Sequence, residues 1–108
     1  MTKLFDLSNR VVIVTGAAGN LGSKYAEGLT QAGANVVLAD IDYTACKKLG
    51  KDLETKYSIP NMAIKLDLND KSSIKKMVLK TVKQFSKIDV LINNAAYQGT
   101  KKTRKIKF

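Results

Sequence analysis

The sequence predicts an α/β domain, a parallel sheet of about four strands in the order 3-2-1-4 with helices on both faces. Short β-branched runs alternate along the chain with longer amphipathic stretches. The runs are almost continuously apolar, as in strands covered on both faces. The segments between them have the length of helices, not of hairpin turns, and parallel strands need such right-handed crossovers. With 108 residues there is room for one domain.

Residues 10–15 (Arg-Val-Val-Ile-Val-Thr) supply the first strand. A helix is expected over 21–32, with Leu21, Tyr25 and Leu29 at four-residue spacing on one face. Residues 34–39 repeat the strand pattern. Asp42 is placed to cap a second helix, whose stripe is Cys46, Leu49, Leu53 and Tyr57. That helix must stop before Pro60, because a proline disfavours helical geometry at the preceding Ile59. Residues 62–66 form a weaker third strand. Asp70 is placed to cap a third helix presenting Ile74, Met77, Val78, Val82 and Phe85, and residues 88–92 close the series. The expected domain is therefore residues 1–96. Residues 97–108 are polar, basic and aperiodic, and are expected to be a disordered tail.

Composition narrows the chemistry. The chain carries a net charge of +10, from 19 Lys and Arg against 9 Asp and Glu, and Lys101, Lys102, Arg104, Lys105 and Lys107 crowd its end. One cysteine excludes an internal disulfide framework, and the lack of histidine excludes a Cys/His zinc site; no metal ligands are expected. The same lack removes Ser-His-Asp and Cys-His nucleophiles from these residues. No apolar run is long enough to cross a bilayer, and Met1 to Asp6 lack a secretory stretch, so no membrane partner and a cytoplasmic location are expected. The basic tail offers an alternative function, nonspecific binding of nucleic acid or another anionic surface. Between Tyr97 and Phe108 no aromatic residues interleave with the charges to stack on bases, so nucleic acid is the weaker expectation. A non-functional gene fragment is the third alternative.

The first strand runs directly into Thr15-Gly16-Ala17-Ala18-Gly19-Asn20-Leu21-Gly22, where a helix opens. A phosphate-binding turn needs glycine where the chain bends tightly and where backbone must approach a pyrophosphate closely. The helix end adds unpaired N–H groups and partial positive charge. Gly16 would end the strand and Gly22 would let the helix pack closely. Ala17 and Ala18 would keep the approach open, and Asn20 and Leu21 would lie at the helix start. Asp40, ending the second strand, can accept hydrogen bonds from ribose hydroxyls; its charge repels a 2′-phosphate and so favours NAD over NADP. A loop or cap role competes with that one, because Asp42 stands two residues on. Ile41 can wall one side of an adenine. Asp67 and Leu68 follow the third strand, where the Asp67 carboxylate can receive the adenine amino group. After the fourth strand, Asn93-Asn94-Ala95-Ala96 combines small residues that let backbone lie near a ribose with amides that can tie strand ends together; Asn93 and Ala95 join the candidate cofactor set.

These stations together resemble the short-chain dehydrogenase/reductase family. Its members carry a TGxxxGxG turn, an acidic residue ending the second strand in NAD users, an Asp after the third strand and NNAG after the fourth. Thr15, Gly16, Gly22, Asp40, Asp67 and Asn93-Asn94-Ala95-Ala96 match in order and spacing over roughly residues 7 to 97. Asn20 departs from the middle glycine and Ala96 from the last one; asparagine tolerates left-handed backbone, which would preserve the turn. The resemblance implies a Rossmann-like fold, NAD as cofactor and hydride transfer between NAD and an alcohol or carbonyl substrate.

The family's catalytic Ser, Tyr and Lys lie beyond NNAG. Two Tyr-x-x-x-Lys strings occur, Tyr43 to Lys47 and Tyr97 to Lys101, but the first comes a whole segment too early and the second contains Gly99. Neither has a Ser partner in place, so no catalytic residue is assigned. The expectation is a truncated nucleotide-binding half, inactive alone, whose fourth strand leaves an apolar edge open to self-association.

Overall fold

The computed structural model describes residues 6–95. Strands β1 (Val11–Thr15), β2 (Asn35–Asp40), β3 (Met62–Lys65) and β4 (Val90–Ile92) form a sheet in the order β3-β2-β1-β4. Every pairing is parallel. Helices α1 (Asn20–Gln31), α2 (Tyr43–Tyr57) and α3 (Lys71–Phe85) supply the crossovers. The chain thus steps from β1 outward to β3 on one side, then returns through α3 to place β4 on the other side of β1. The strand order reverses at β1, and ligands of open α/β sheets bind at the carboxyl ends beside such a reversal.

Both faces of the sheet are covered. Val12, Val14, Val36 and Leu38 point to one layer, where they meet Ala26 of α1 and Cys46 and Leu53 of α2. Val11, Ile13, Val37 and Ala39 point to the opposite layer, with Ile64, Leu66 and, from α3, Met77. Successive residues of a strand face opposite ways, so a strand with two covers must be apolar throughout. This is why the first run carries no polar alternation.

The helix faces depart from expectation. In α1 the buried residues are Gly22, Ala26 and Thr30, one position on from the expected stripe, while Leu21 is 53% exposed and Tyr25 is exposed as well. Small side chains let the helix lie close on the sheet, and the Thr30 hydroxyl is satisfied by donating to the Ala26 carbonyl at 2.7 Å. In α3 Met77 and Thr81 are buried, whereas Ile74, Val78 and Val82 are exposed. The stripe of α2 holds better, with Cys46 and Leu53 buried and Leu49 and Tyr57 packed against the same layer. Asp42 caps α2 by accepting from the Ala45 N–H at 3.0 Å, and Asp70 caps α3 by accepting from the Ser72 N–H at 2.9 Å. Helix α2 is followed by its C-cap Ser58, in left-handed backbone with φ 58°, two residues before Pro60.

No helix among the described residues is long and apolar enough to cross a membrane. The tail expected at 97–108, with Tyr97 and Lys101, and Ala96 of the fourth-strand motif lie outside the described residues.

Candidate functional site

The turn after β1 is built around one carbonyl group. Gly16 has φ +69°, a conformation that side chains resist, and its oxygen accepts the Gly19 N–H at 3.1 Å. The Asn94 side-chain amide donates to the same oxygen at 3.4 Å. Gly22 of α1 sits directly over this carbonyl: a Cβ there would overlap the oxygen, lie 2.8 Å from the Gly16 carbon and 2.9 Å from Asn94 Nδ2. Glycine at 16 and 22 is therefore a consequence of the strand, the helix and the end of β4 meeting at one point.

Thr15 completes the junction. Its hydroxyl oxygen accepts the N–H groups of Asn94 and Ala95, at 2.9 and 3.0 Å, and donates toward Asn93 Oδ1 at 3.2 Å. It thereby sets the path of residues 93–95 past the glycine turn. Thr15 was legible as a family match but not as this hub; a β-branched hydroxyl ending a buried strand is the signal that points to such a role.

Asp40 lies where β2 ends, half-buried. One carboxylate oxygen accepts the Ala18 N–H at 3.0 Å and the other accepts the Asp42 N–H at 3.0 Å. Capping of α2 belongs to Asp42, so the two neighbouring acids divide the work. The backbone of Ala17 donates to the Ala39 carbonyl at 3.2 Å, tying the turn to β2 a second time. The Ala17 side chain is wholly buried among the core residues, whereas Ala18 is half-buried at the surface of the turn. Ile41, 58% exposed, directly follows Asp40.

The remaining candidates are more peripheral. Asp67 accepts the Asn69 N–H at 2.9 Å and shapes the turn before α3, and Leu68 packs partly into the second core layer. Asn93 is exposed, and Ala95 is half-buried against Gly16. Asn20 is not left-handed: it is the first residue of α1, and its φ is not positive. The glycine expected at this position is thus unnecessary for the backbone. Tyr43 and Lys47 lie on the exposed side of α2.

Electrostatically, α1 differs from its neighbours. Gly19 is its N-cap and no side chain caps it, whereas Asp42 and Asp70 cap α2 and α3; the first turn of all three helices carries no acid. Its end keeps its partial positive charge and unpaired N–H groups available to an anion. Cys46, on α2, is buried; desolvation first, and the charges of Asp40 and Asp42 next, push its thiol up to about 12. At neutral pH it is an inert packing group. Among the described residues no cluster of three or more His, Cys, Asp or Glu can hold a metal ion.

A glycine turn at the reversal of strand order, a helix without a side-chain cap behind it and a carboxylate closing the second strand come together at the carboxyl end of the sheet. The short chain dehydrogenase family model matches residues 10–108. This chain belongs to the short-chain dehydrogenases.

The short chain dehydrogenase/reductase astE of Aspergillus oryzae is 35% identical over 92 residues, covering 85% of this chain and 35% of that protein. The NADP-dependent 3-hydroxy acid dehydrogenase of Schizosaccharomyces pombe is 34% identical over 90 residues, covering 82% of this chain and 35% of that protein. The solved hydroxysteroid dehydrogenase from Escherichia coli superposes with a TM-score of 0.80 at 26% identity, over 87% of this chain and 40% of that one. The chain spans about a third of the length of the curated relatives it matches. Short-chain dehydrogenases bind nicotinamide dinucleotides, and the donor set here fits the adenosine and phosphate part of one. The helix end offers N–H groups to phosphate, and the Asp40 oxygens each retain a lone-pair site after accepting one backbone N–H.

Proposed function

We propose that residues 1–96 are the NAD-binding half of a short-chain dehydrogenase, serving hydride transfer between NAD and an alcohol or carbonyl substrate. The observation that carries this reading is the Asp40 carboxylate, held beside the uncapped end of α1 by the N–H groups of Ala18 and Asp42. In this reading the α1 N-terminus, at Asn20, Leu21 and Gly22, receives the diphosphate. Asp40 accepts the ribose hydroxyls and disfavours a 2′-phosphate. Ile41 covers one face of the adenine, the Asp67 carboxylate, with Leu68 beside it, receives the adenine amino group, and Asn93 and Ala95 pass near a bound ribose. The bound nicotinamide supplies hydride acceptance or donation. No residue of this segment is assigned to the proton transfer that accompanies it, and the segment by itself is taken to be inactive. A cytoplasmic setting and association through the open edge of β4 belong to the same reading.

Isothermal titration of the chain with NAD and with NADP tests it, alongside sedimentation over a range of concentrations. Saturable binding is expected, with NAD favoured by about tenfold or more, a ratio that corresponds to roughly 1.4 kcal/mol. Absence of binding to a folded chain would sink the functional reading, equal affinities would remove the cofactor preference, and a concentration-independent monomer would remove the association.

A further inference from the structure

The carboxylate of Asp40 ties two segments of the protein together before any nucleotide arrives. Its two oxygens hold two backbone N–H groups: that of Ala18, in the turn after β1, and that of Asp42, at the start of α2. The bond to Ala18 joins residues 22 positions apart in sequence. It lies between the glycine turn and the strand end that this turn must face across the site. Removing both oxygens leaves two N–H groups without these acceptors and releases the middle of the turn from β2, except at the Ala17 to Ala39 bond.

We propose that Asp40 is a positioning residue for the phosphate turn as well as the acceptor for the ribose, so that phosphate binding and cofactor choice depend on one carboxylate. This rests on the dinucleotide reading above and deepens it. Deleting the whole carboxylate then does not convert the site from NAD to NADP. The gain from removing repulsion is opposed by the loss of a turn that both dinucleotides need. A replacement that keeps an acceptor oxygen without the charge separates the two effects. Asp40→Asn retains one acceptor and Asp40→Ala retains none.

The experiment compares the wild-type chain, Asp40→Asn and Asp40→Ala by titration with NAD and NADP, and by amide hydrogen exchange of each free protein. In the free wild type the Ala18 amide is expected to exchange at least about tenfold more slowly than in Asp40→Ala, with the Val36 and Leu38 amides protected in both as a control for folding. Asp40→Asn is expected to bind NADP more tightly than the wild type does. Asp40→Ala is expected to bind both dinucleotides at least about tenfold more weakly than Asp40→Asn. Equal NADP binding by the two variants, or Ala18 exchange indifferent to residue 40, overturns the proposal. If the alanine variant does not fold, the asparagine variant decides the matter. It should lose protection at one of the Ala18 and Asp42 amides, and full protection at both overturns the proposal. Failure of the wild type to bind either dinucleotide, with Ala18 protection still dependent on Asp40, removes the dinucleotide reading and leaves the carboxylate as a clamp of the turn.

Discussion

Among the described glycines the tightest constraint falls on Gly22, where an added methyl group meets the Gly16 carbonyl and the Asn94 amide at once. Both obstacles belong to the junction that holds β1, α1 and the end of β4 together, so neither can move alone. Gly22→Ala is expected to destabilise the fold by about 2 kcal/mol, the usual scale of overpacking, and chemical denaturation measures it. Cys46 gives a second test of single-residue reasoning. Its folded pKa, pushed up to about 12, lies above the ordinary thiol value of 9.0. Between those values the unfolded chain loses a proton that the folded chain keeps, so this thiol's contribution is intact below about pH 9 and is lost as pH rises toward 12. Denaturation midpoints at pH 8 and pH 10.5 should therefore differ less in Cys46→Ala than in the wild type; an equal difference would contradict a protonated, buried thiol.

At the level of elements, the strands were legible because burial on both faces leaves a continuous apolar run. The caps of α2 and α3 were legible because an aspartate just before a helix binds its first N–H groups through local geometry. The packed face of α1 was not. Its period was visible, but Leu21 and Tyr25 competed for the core with Gly22 and Ala26, and size alone favoured the former. What decides the face is the closeness that the glycine turn imposes, a contact between segments that periodicity does not carry. The exposed apolar residues of α3 have the same origin in reverse: Ile74 and Val78 resemble a core stripe, yet the layer beneath them is filled by Met77, Thr81 and the second set of strand residues. Of the site, Gly16, Gly22 and Asp40 could be read from the turn's chemistry. The pairing of Asp40 with the Ala18 N–H could not, because backbone donors leave no mark in a sequence.

Over the whole molecule, β4 pairs with β1 on one side alone among the described residues, and Leu91 on it is 55% exposed. The sheet is asymmetric in burial, closed at β1 and β2 and open at β4. The site lies on the closed side of that divide except for residues 93–95, which Thr15 fastens to it. The missing cap of α1 then has a thermodynamic meaning for the entire fold. A nucleotide phosphate bound at Gly19 would act as that cap, so ligand and folding stability become linked quantities, by about 2.7 kcal/mol at a hundredfold excess over Kd. Position 19 has ordinary backbone, with φ −79°, and a Cβ there would meet only the Gly16 oxygen, at 3.4 Å. Gly19→Asp should accordingly raise the melting stability of the free protein by about half a kcal/mol while reducing the stabilisation that added NAD confers, and thermal denaturation with and without NAD reads both. Under the proposed function, a helix left without a side-chain cap makes the cofactor part of the folding reaction.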